Sequence, residues 1–191
     1  MRILVIDNGG QWTHREWRVL RDLGVETEIV PNTTPVDNIK ADGLVLSGGS
    51  PRVGLNAEAM GKCGDYIDKS GLPVMGICAG HQFMAVHLGG TAGPSKVPEF
   101  GKVLMTVDDE DDLFKGLPDV LVVWESHNDE VVQLPPGFRS LAHSDNCQIQ
   151  AMRHENRPLF GLQFHPEVEH TDNGYEVFQA FIDVCAAHKK E

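Results

Sequence analysis

Cys78 stands in the run Pro73-Val-Met-Gly-Ile-Cys-Ala-Gly-His-Gln82, where an apolar stretch gives way to a helix-like one. The form is G-x-C-x-G, the cysteine counterpart of the nucleophile elbow. Glycines two residues to either side let neighbouring backbone pass close to a residue held in a strained conformation. A helix that opens directly after the sulfur aims its dipole and free N–H groups at it, which favours thiolate over thiol. The chemistry this suits is acyl transfer through a thioester. A buried structural cysteine is the ordinary alternative, and it is the reading given to Cys63, Cys147 and Cys185, which lack the elbow context.

A cysteine nucleophile needs a base, and the base needs a partner to orient it. The segment Phe160-Gly-Leu-Gln-Phe-His165-Pro-Glu167 places a histidine at the end of an apolar run, with a carboxylate two residues on and a proline between them. Glu167 can accept the ring N–H of His165, fixing its tautomer and stabilising the imidazolium as it forms. His-Pro-Glu alone is a weak signal, but beside the elbow it completes a Cys78, His165, Glu167 triad. Thioester chemistry also needs donors for an oxyanion. Two backbone stretches offer them: Ala79, directly after the nucleophile, and Gly48-Gly49, which follows another apolar run.

The elements that must carry these groups alternate in the first half of the chain. Residues 2–7, 25–30, 43–47 and 73–77 read as strands, the first an unbroken aliphatic run that suits a strand buried on both faces. Helices are expected at 13–23, ended by Gly24, at 57–69, and from Ala79 to Leu88. Shorter β-like stretches at 101–107, 119–124, 138–143, 147–153 and 158–164 follow. A closing helix at 173–187 puts Tyr175, Phe178, Phe181, Ile182 and Cys185 on one face. This pattern predicts an α/β fold: a doubly wound, mostly parallel sheet flanked by helices, with a smaller mixed or antiparallel β region. Ligands then bind beyond the carboxyl ends of the parallel strands. One domain over residues 1–191 is expected, with no repeat and no linker.

Composition narrows the partners. A formal net charge of −12 speaks against nucleic acid, which calls for a basic patch. The acidic run Asp108–Asp112 reads as a solvated loop. No segment approaches the ~18 apolar residues of a membrane span, and the opening residues show no signal-peptide pattern, so a cytoplasmic location is expected. Four separated cysteines give neither a disulfide framework nor a thiolate zinc site, and the nine histidines suggest no metal.

Taken together, the Gly-Gly loop, G-I-C-A-G-H-Q and H-P-E resemble the class I, or triad, glutamine amidotransferases over nearly the whole chain. The resemblance implies that Cys78, His165 and Glu167 form the triad and that Gly49 and Ala79 donate to the oxyanion. It implies that Gln82 helps hold the substrate amide, and that Trp124–Asp129 is the loop recognising the glutamine α-amino and α-carboxylate groups, through Ser126, His127, Asn128 and Asp129. Asn128 departs from a frequent glycine, and Ser50 from a frequent proline. The opening Asp7-Asn8-Gly9-Gly10-Gln11 and the run Val168-Glu169-His170-Thr171 resemble the branch that serves GMP synthases. That branch implies a partner, the ATP-pyrophosphatase (synthetase) subunit, which carries the ATP and Mg²⁺. This chain itself is then expected to need no cofactor, with Gln11, His170 and Thr171 near the partner. The alternatives are another synthase of the class, such as anthranilate synthase, a catalytically silent regulatory module, or a peptidase or γ-glutamyl hydrolase on the same elbow.

Overall fold

The computed structural model describes residues 1–190; Glu191, the last residue of the expected domain, lies outside the described residues. The elements run β1 (Arg2–Asp7), α1 (Thr13–Asp22), β2 (Glu26–Pro31), β3 (Gly43–Leu46), α2 (Cys63–Lys69), β4 (Val74–Ile77), α3 (Ala79–His87), β5 (Thr91–Val107), β6 (Val120–Gln133), β7 (Phe138–Ser144), β8 (Ala151–His154), β9 (Leu159–Leu162) and α4 (Gly174–His188). The strands form one nine-stranded sheet in the order β2-β1-β3-β4-β9-β8-β7-β5-β6. The half from β2 to β9 is parallel, and the half from β8 to β6 is antiparallel. The mixed region is therefore a continuation of the same sheet.

The inner parallel strands are short apolar runs because both of their faces are covered, whereas the edge strand β2 carries Glu26, Thr27 and Glu28 and is half-exposed. On one face α1 and α4 bury Val19, Leu20, Phe178 and Phe181 against Ile3, Val45 and Phe160. On the other, α2 and α3 bury Tyr66, Ile67, Phe83 and Met84 against Leu4, Leu44 and Leu46. Removing this apolar surface from water at roughly 25 cal/mol per Å² is what drives the layers together. Cys63 and Cys185 belong to these layers, and burial pushes their thiols up to about 12.

Three expectations are corrected. The helix at 57–69 is broken: a 3-10 turn at Ala57–Met60 ends at Gly61, whose φ of 56° no helix accommodates. A Cβ there would also meet the Asn32 carbonyl oxygen at 2.6 Å. The β-like stretches at 101–107 and 119–124 are the ends of much longer strands, because β5 and β6 pair as a ribbon with an irregular register between Pro94 and Glu99. The Asp108–Asp112 run is not wholly solvated. Asp111 has a side chain 4% exposed and is held by Arg139 and Arg153, bringing three segments together.

His81, on the first turn of α3, is fully buried, and burial pushes its imidazole down to about 3. The unfolded chain takes up a proton near pH 6.5 that the folded chain refuses until about pH 3. This part of the stability is complete above pH 6.5 and is lost progressively as pH falls through that window. Roughly 2–3 kcal/mol should go between pH 7 and 4.5. Urea unfolding at both pH values, compared with His81→Asn, measures it: the variant's stability should fall less.

Candidate active site

Cys78 sits between the last residue of β4 and the first of α3, with φ 49° and ψ −105°. This is the left-handed region that a side chain rarely enters, and the surroundings hold it there. Its N–H donates to the Leu162 carbonyl of β9 at 2.7 Å, and its C=O accepts from the Gln82 N–H at 3.0 Å. Gly76 and Gly80 leave room for the turn: a Cβ on Gly76 would meet the Gly80 carbonyl at 2.6 Å, and one on Gly80 the Leu46 carbonyl at 2.3 Å. The sequence pattern of two flanking glycines thus reflects backbone-to-backbone contact.

His165 follows β9 and is brought beside this turn because β9 is the parallel neighbour of β4. Its Nδ1 lies 2.7 Å from Glu167 Oε1, both side chains being buried. Burial alone pushes the imidazole down. The Glu167 charge and the hydrogen bonds that His165 makes with Cys78 and Glu167 outweigh it, so His165 titrates well above the ordinary histidine range. The Trp12 ring packs edge-on at 4.5 Å. The His165 backbone is pinned twice, its N–H donating to Trp124 O at 2.9 Å and its C=O accepting from Thr171 Oγ1 at 2.7 Å. Thr171 Oγ1 also accepts from the Trp124 N–H at 2.9 Å. This threonine is an internal brace between β6 and the histidine; its neighbour His170 is exposed, its ring tilted at 41° against Trp124 with centroids 5.0 Å apart.

The Gly48-Gly49 loop closes the other side. A Cβ on Gly48 would stand 3.2 Å from His165 Cε1 and 3.7 Å from Cys78 Cβ, and one on Gly49 would meet the Asn8 carbonyl at 2.4 Å. Asn8 accounts for part of the D-N-G-G-Q opening: its N–H donates to Ser47 Oγ at 2.9 Å and its amide to Ser47 O at 3.0 Å, seating the loop. Among the described residues neither the Gly49 nor the Ala79 N–H is taken up by an internal backbone acceptor.

Two cavities meet at Cys78. One of about 530 Å³ is lined by Gly49, Arg52, Cys78, Ala79, Gln82, Ser126, His127, Asn128 and Asp129, which brings the expected substrate residues to one place. The other, about 210 Å³, lies behind it between Gly9–Thr13, Glu16, His165 and Glu167, with Gln11 on its wall. A third cavity, about 630 Å³, lies along α4 and the β8–β9 turn, and Cys78 has no part in its lining.

The expected substrate residues divide by direction. Ser126 O stands 4.0 Å from Cys78 Sγ, and Asn128 is exposed at the rim. His127 turns inward instead, its Nδ1 on Asp129 O at 3.0 Å and its Nε2 on Glu99 at 3.0 Å. Gln82 is likewise engaged, donating to Asp129 O at 2.7 Å and to Gln163 Oε1 at 3.1 Å. Gln163, which sequence reasoning does not single out, is the amide that reaches the sulfur, Nε2 to Sγ 3.7 Å. Period-two placement at the end of β9, two residues before His165, is its only signal.

Sequence reasoning also misses two buried carboxyls. Glu16 of α1 accepts the Gly48 N–H at 3.3 Å. Burial and the nearby Glu167 charge hold Glu16 well above the usual carboxylate range. Burial and then the Glu99 charge do the same for Glu125, whose two oxygens have no hydrogen-bond partner among the described residues. Glu99 moves the other way: burial opposes its charge, but donors from His127, Ser144 and Gln150 outweigh this and hold it low. Glu99, His127 and Cys147 bring ligand-type atoms within 4.8 Å of one another. The histidine Nε2 is already taken by Glu99, and burial pushes the Cys147 thiol up, so the group works as a hydrogen-bonded clamp.

The chain is similar to known proteins over nearly its whole length. The family description Glutamine amidotransferase class-I matches residues 4–184. The glutamine-hydrolyzing GMP synthase subunit of Thermoplasma acidophilum is 49% identical over 100% of this chain and 96% of the relative. The protein of the same name from Thermoplasma volcanium is 50% identical over 100% and 95%. A solved structure of a GMP synthase subunit protein from T. acidophilum superposes with a TM-score of 0.95 at 49% identity, covering 100% of this chain and 96% of the other.

Proposed function

The chain belongs to the class I glutamine amidotransferase family, and we propose that it is the glutaminase of a two-subunit GMP synthase. The reaction is L-glutamine plus water to L-glutamate and ammonia. The observation that carries it is Cys78, in its strained turn, standing where the 530 Å³ cavity meets the smaller one that the His165–Glu167 pair lines.

In this reading glutamine enters that cavity with its side-chain amide against Cys78 and its α-groups towards Asp129. The Cys78 thiolate attacks the amide carbon. The tetrahedral oxyanion lies between the Gly49 and Ala79 N–H groups, each donor contributing roughly 3 kcal/mol. His165 protonates the departing nitrogen, so that ammonia leaves and a γ-glutamyl thioester remains. It then takes a proton from water, whose oxygen attacks the thioester carbonyl and releases glutamate and the thiolate. Glu167 holds Nδ1–H throughout, which keeps Nε2 turned to the reacting atoms. The ammonia passes to a separate synthetase subunit that activates XMP with ATP and Mg²⁺ and releases GMP. We place the complex in the cytoplasm; no helix of the described residues is long and apolar enough to cross a membrane. His170 and Gln11, both exposed, support a partner face near the histidine.

The test is glutamate release from glutamine by the chain alone and by the chain with a GMP synthetase subunit, ATP, Mg²⁺ and XMP. Activity should be greatest in the complete mixture, and Cys78→Ala should reduce it at least about 10⁴-fold in both. Cys78-dependent hydrolysis that ignores the synthetase would overturn the partner assignment and leave the glutaminase standing.

A further inference from the structure

Arg52, three residues past Gly49, is the one permanent cation among the described residues lining the 530 Å³ cavity. Its Nε donates to Asp129 Oδ2 at 3.1 Å and its Nη2 to Oδ1 at 2.7 Å, a two-pronged pair. The two partners are unequally placed. The Asp129 side chain is 7% exposed and the Arg52 side chain 54%. Asp129 is also fixed from behind, because its carbonyl oxygen accepts from Gln82 Nε2 and from His127 Nδ1. The carboxylate is thus built into the wall, while the guanidinium reaches it from the solvent side on a flexible stem.

Position along the strand sets what this pair can reach. Cys78 Sγ faces Ser126 O, and Asp129 lies three residues further along β6, roughly 10 Å of extended chain. That matches an extended glutamine side chain with one contact at either end. Free glutamine presents an α-ammonium and an α-carboxylate on the same carbon. Asp129 answers the first. A carboxylate wall in a chain of net charge −12 repels the second unless a cation stands beside it.

We propose that Arg52 and Asp129 form a clamp for the amino-acid zwitterion. The substrate ammonium replaces the guanidinium on Asp129, and Arg52 turns onto the substrate carboxylate. Four charges then alternate in sign, and no buried charge is left without a partner at any stage. Arg52 is in this way a specificity residue for free L-glutamine over its α-amide and over glutamine within a peptide. The inference rests on the glutaminase reading above and deepens it by naming the group that reads the α-carboxylate.

The experiment compares wild type, Arg52→Met and Arg52→Lys in the complete complex with the synthetase, ATP, Mg²⁺ and XMP, on L-glutamine and on L-glutamine α-amide. Arg52→Met should raise KM for glutamine at least about tenfold, with kcat within about twofold. It should leave KM for the α-amide unchanged, so that the wild type's preference for the free acid disappears. Arg52→Lys should recover part of the preference. Circular dichroism and thermal melting check that each variant is folded. Equal losses on both substrates would overturn the clamp, since Arg52 would then only be supporting the wall. A lower KM for glutamine in Arg52→Met would also overturn it, making the arginine a competitor for Asp129. If wild type hydrolyses neither substrate, the glutaminase reading fails and takes the clamp with it, an outcome distinct from a defect confined to the variants.

Discussion

Glu167→Gln should lower kcat/KM for glutamine hydrolysis by roughly 10²–10⁴-fold while leaving the fold intact. The carboxylate does two things that an amide cannot. Through the 2.7 Å contact it accepts Nδ1–H and so directs the free Nε2 towards Cys78. The glutamine amide can instead donate to Nδ1, which favours the opposite tautomer and points an N–H at the sulfur. The carboxylate charge also counts among the causes that, against the effect of burial, raise His165 above the usual histidine range. With that charge gone, the imidazolium loses its counter-ion inside a buried site, and the ionisation of His165 moves to lower pH. The pH dependence of kcat/KM and a ring-proton NMR titration should both report the downward shift. A variant that kept a near-normal rate and an unmoved titration would remove Glu167 from the proposed mechanism.

What is legible in the sequence depends on how far apart the cooperating residues lie in the chain. Cys78 and its glycines form a single turn, and His165 and Glu167 another, so residue type and spacing carry them. The inner parallel strands announce themselves for a similar reason, since a strand covered on both faces needs an unbroken apolar run and little else. The segment 124–129 reads as a loop because Glu125, His127 and Asp129 alternate with Trp124, Ser126 and Asn128, and no apolar face shows. In the structure the alternation is a strand whose inward face is polar, made tolerable by Glu99, Ser144 and Gln150 arriving from elsewhere. Glu16, Gln163 and Arg52 escape notice on the same ground. Each acquires its meaning from a contact 32, 85 or 77 residues distant, to Gly48, Cys78 and Asp129 respectively. The acidic run misleads likewise, because its arginines come from β7 and β8. Thr171 shows the reverse case: its place after the triad stands out, but its inward bonds to His165 and Trp124 are set by the sheet.

Gly80, the glycine that seats the nucleophile turn, should prove necessary for a different reason than the sulfur. A Cβ added to Gly80 would lie 2.3 Å from the Leu46 carbonyl oxygen and 3.0 Å from two further Leu46 atoms. Nothing there can rotate away, because the near atom is backbone in the middle of the sheet. Relief requires α3 to lift off β3, or β3 to shift against β1 and β4. Overpacking of this kind costs about 3 kcal/mol or more, which lowers the melting temperature by roughly 6–12 °C in a chain of this size. The same movement carries Ala79 and Cys78 with it, since both belong to the turn that Gly80 seats. A displacement of about 1 Å at the reacting atoms would cost on the order of a hundredfold in rate. Gly80→Ala should therefore lose stability and turnover together, unlike Glu167→Gln, which should lose turnover alone. Gly93→Ala is the control for stability, because a Cβ there meets only Val132 Cγ2 at 4.0 Å, and its melting temperature should stay close to that of wild type. If Gly80→Ala unfolded at the same temperature as Gly93→Ala, the close packing of α3 on β3 would not be what holds Cys78 in its strained conformation.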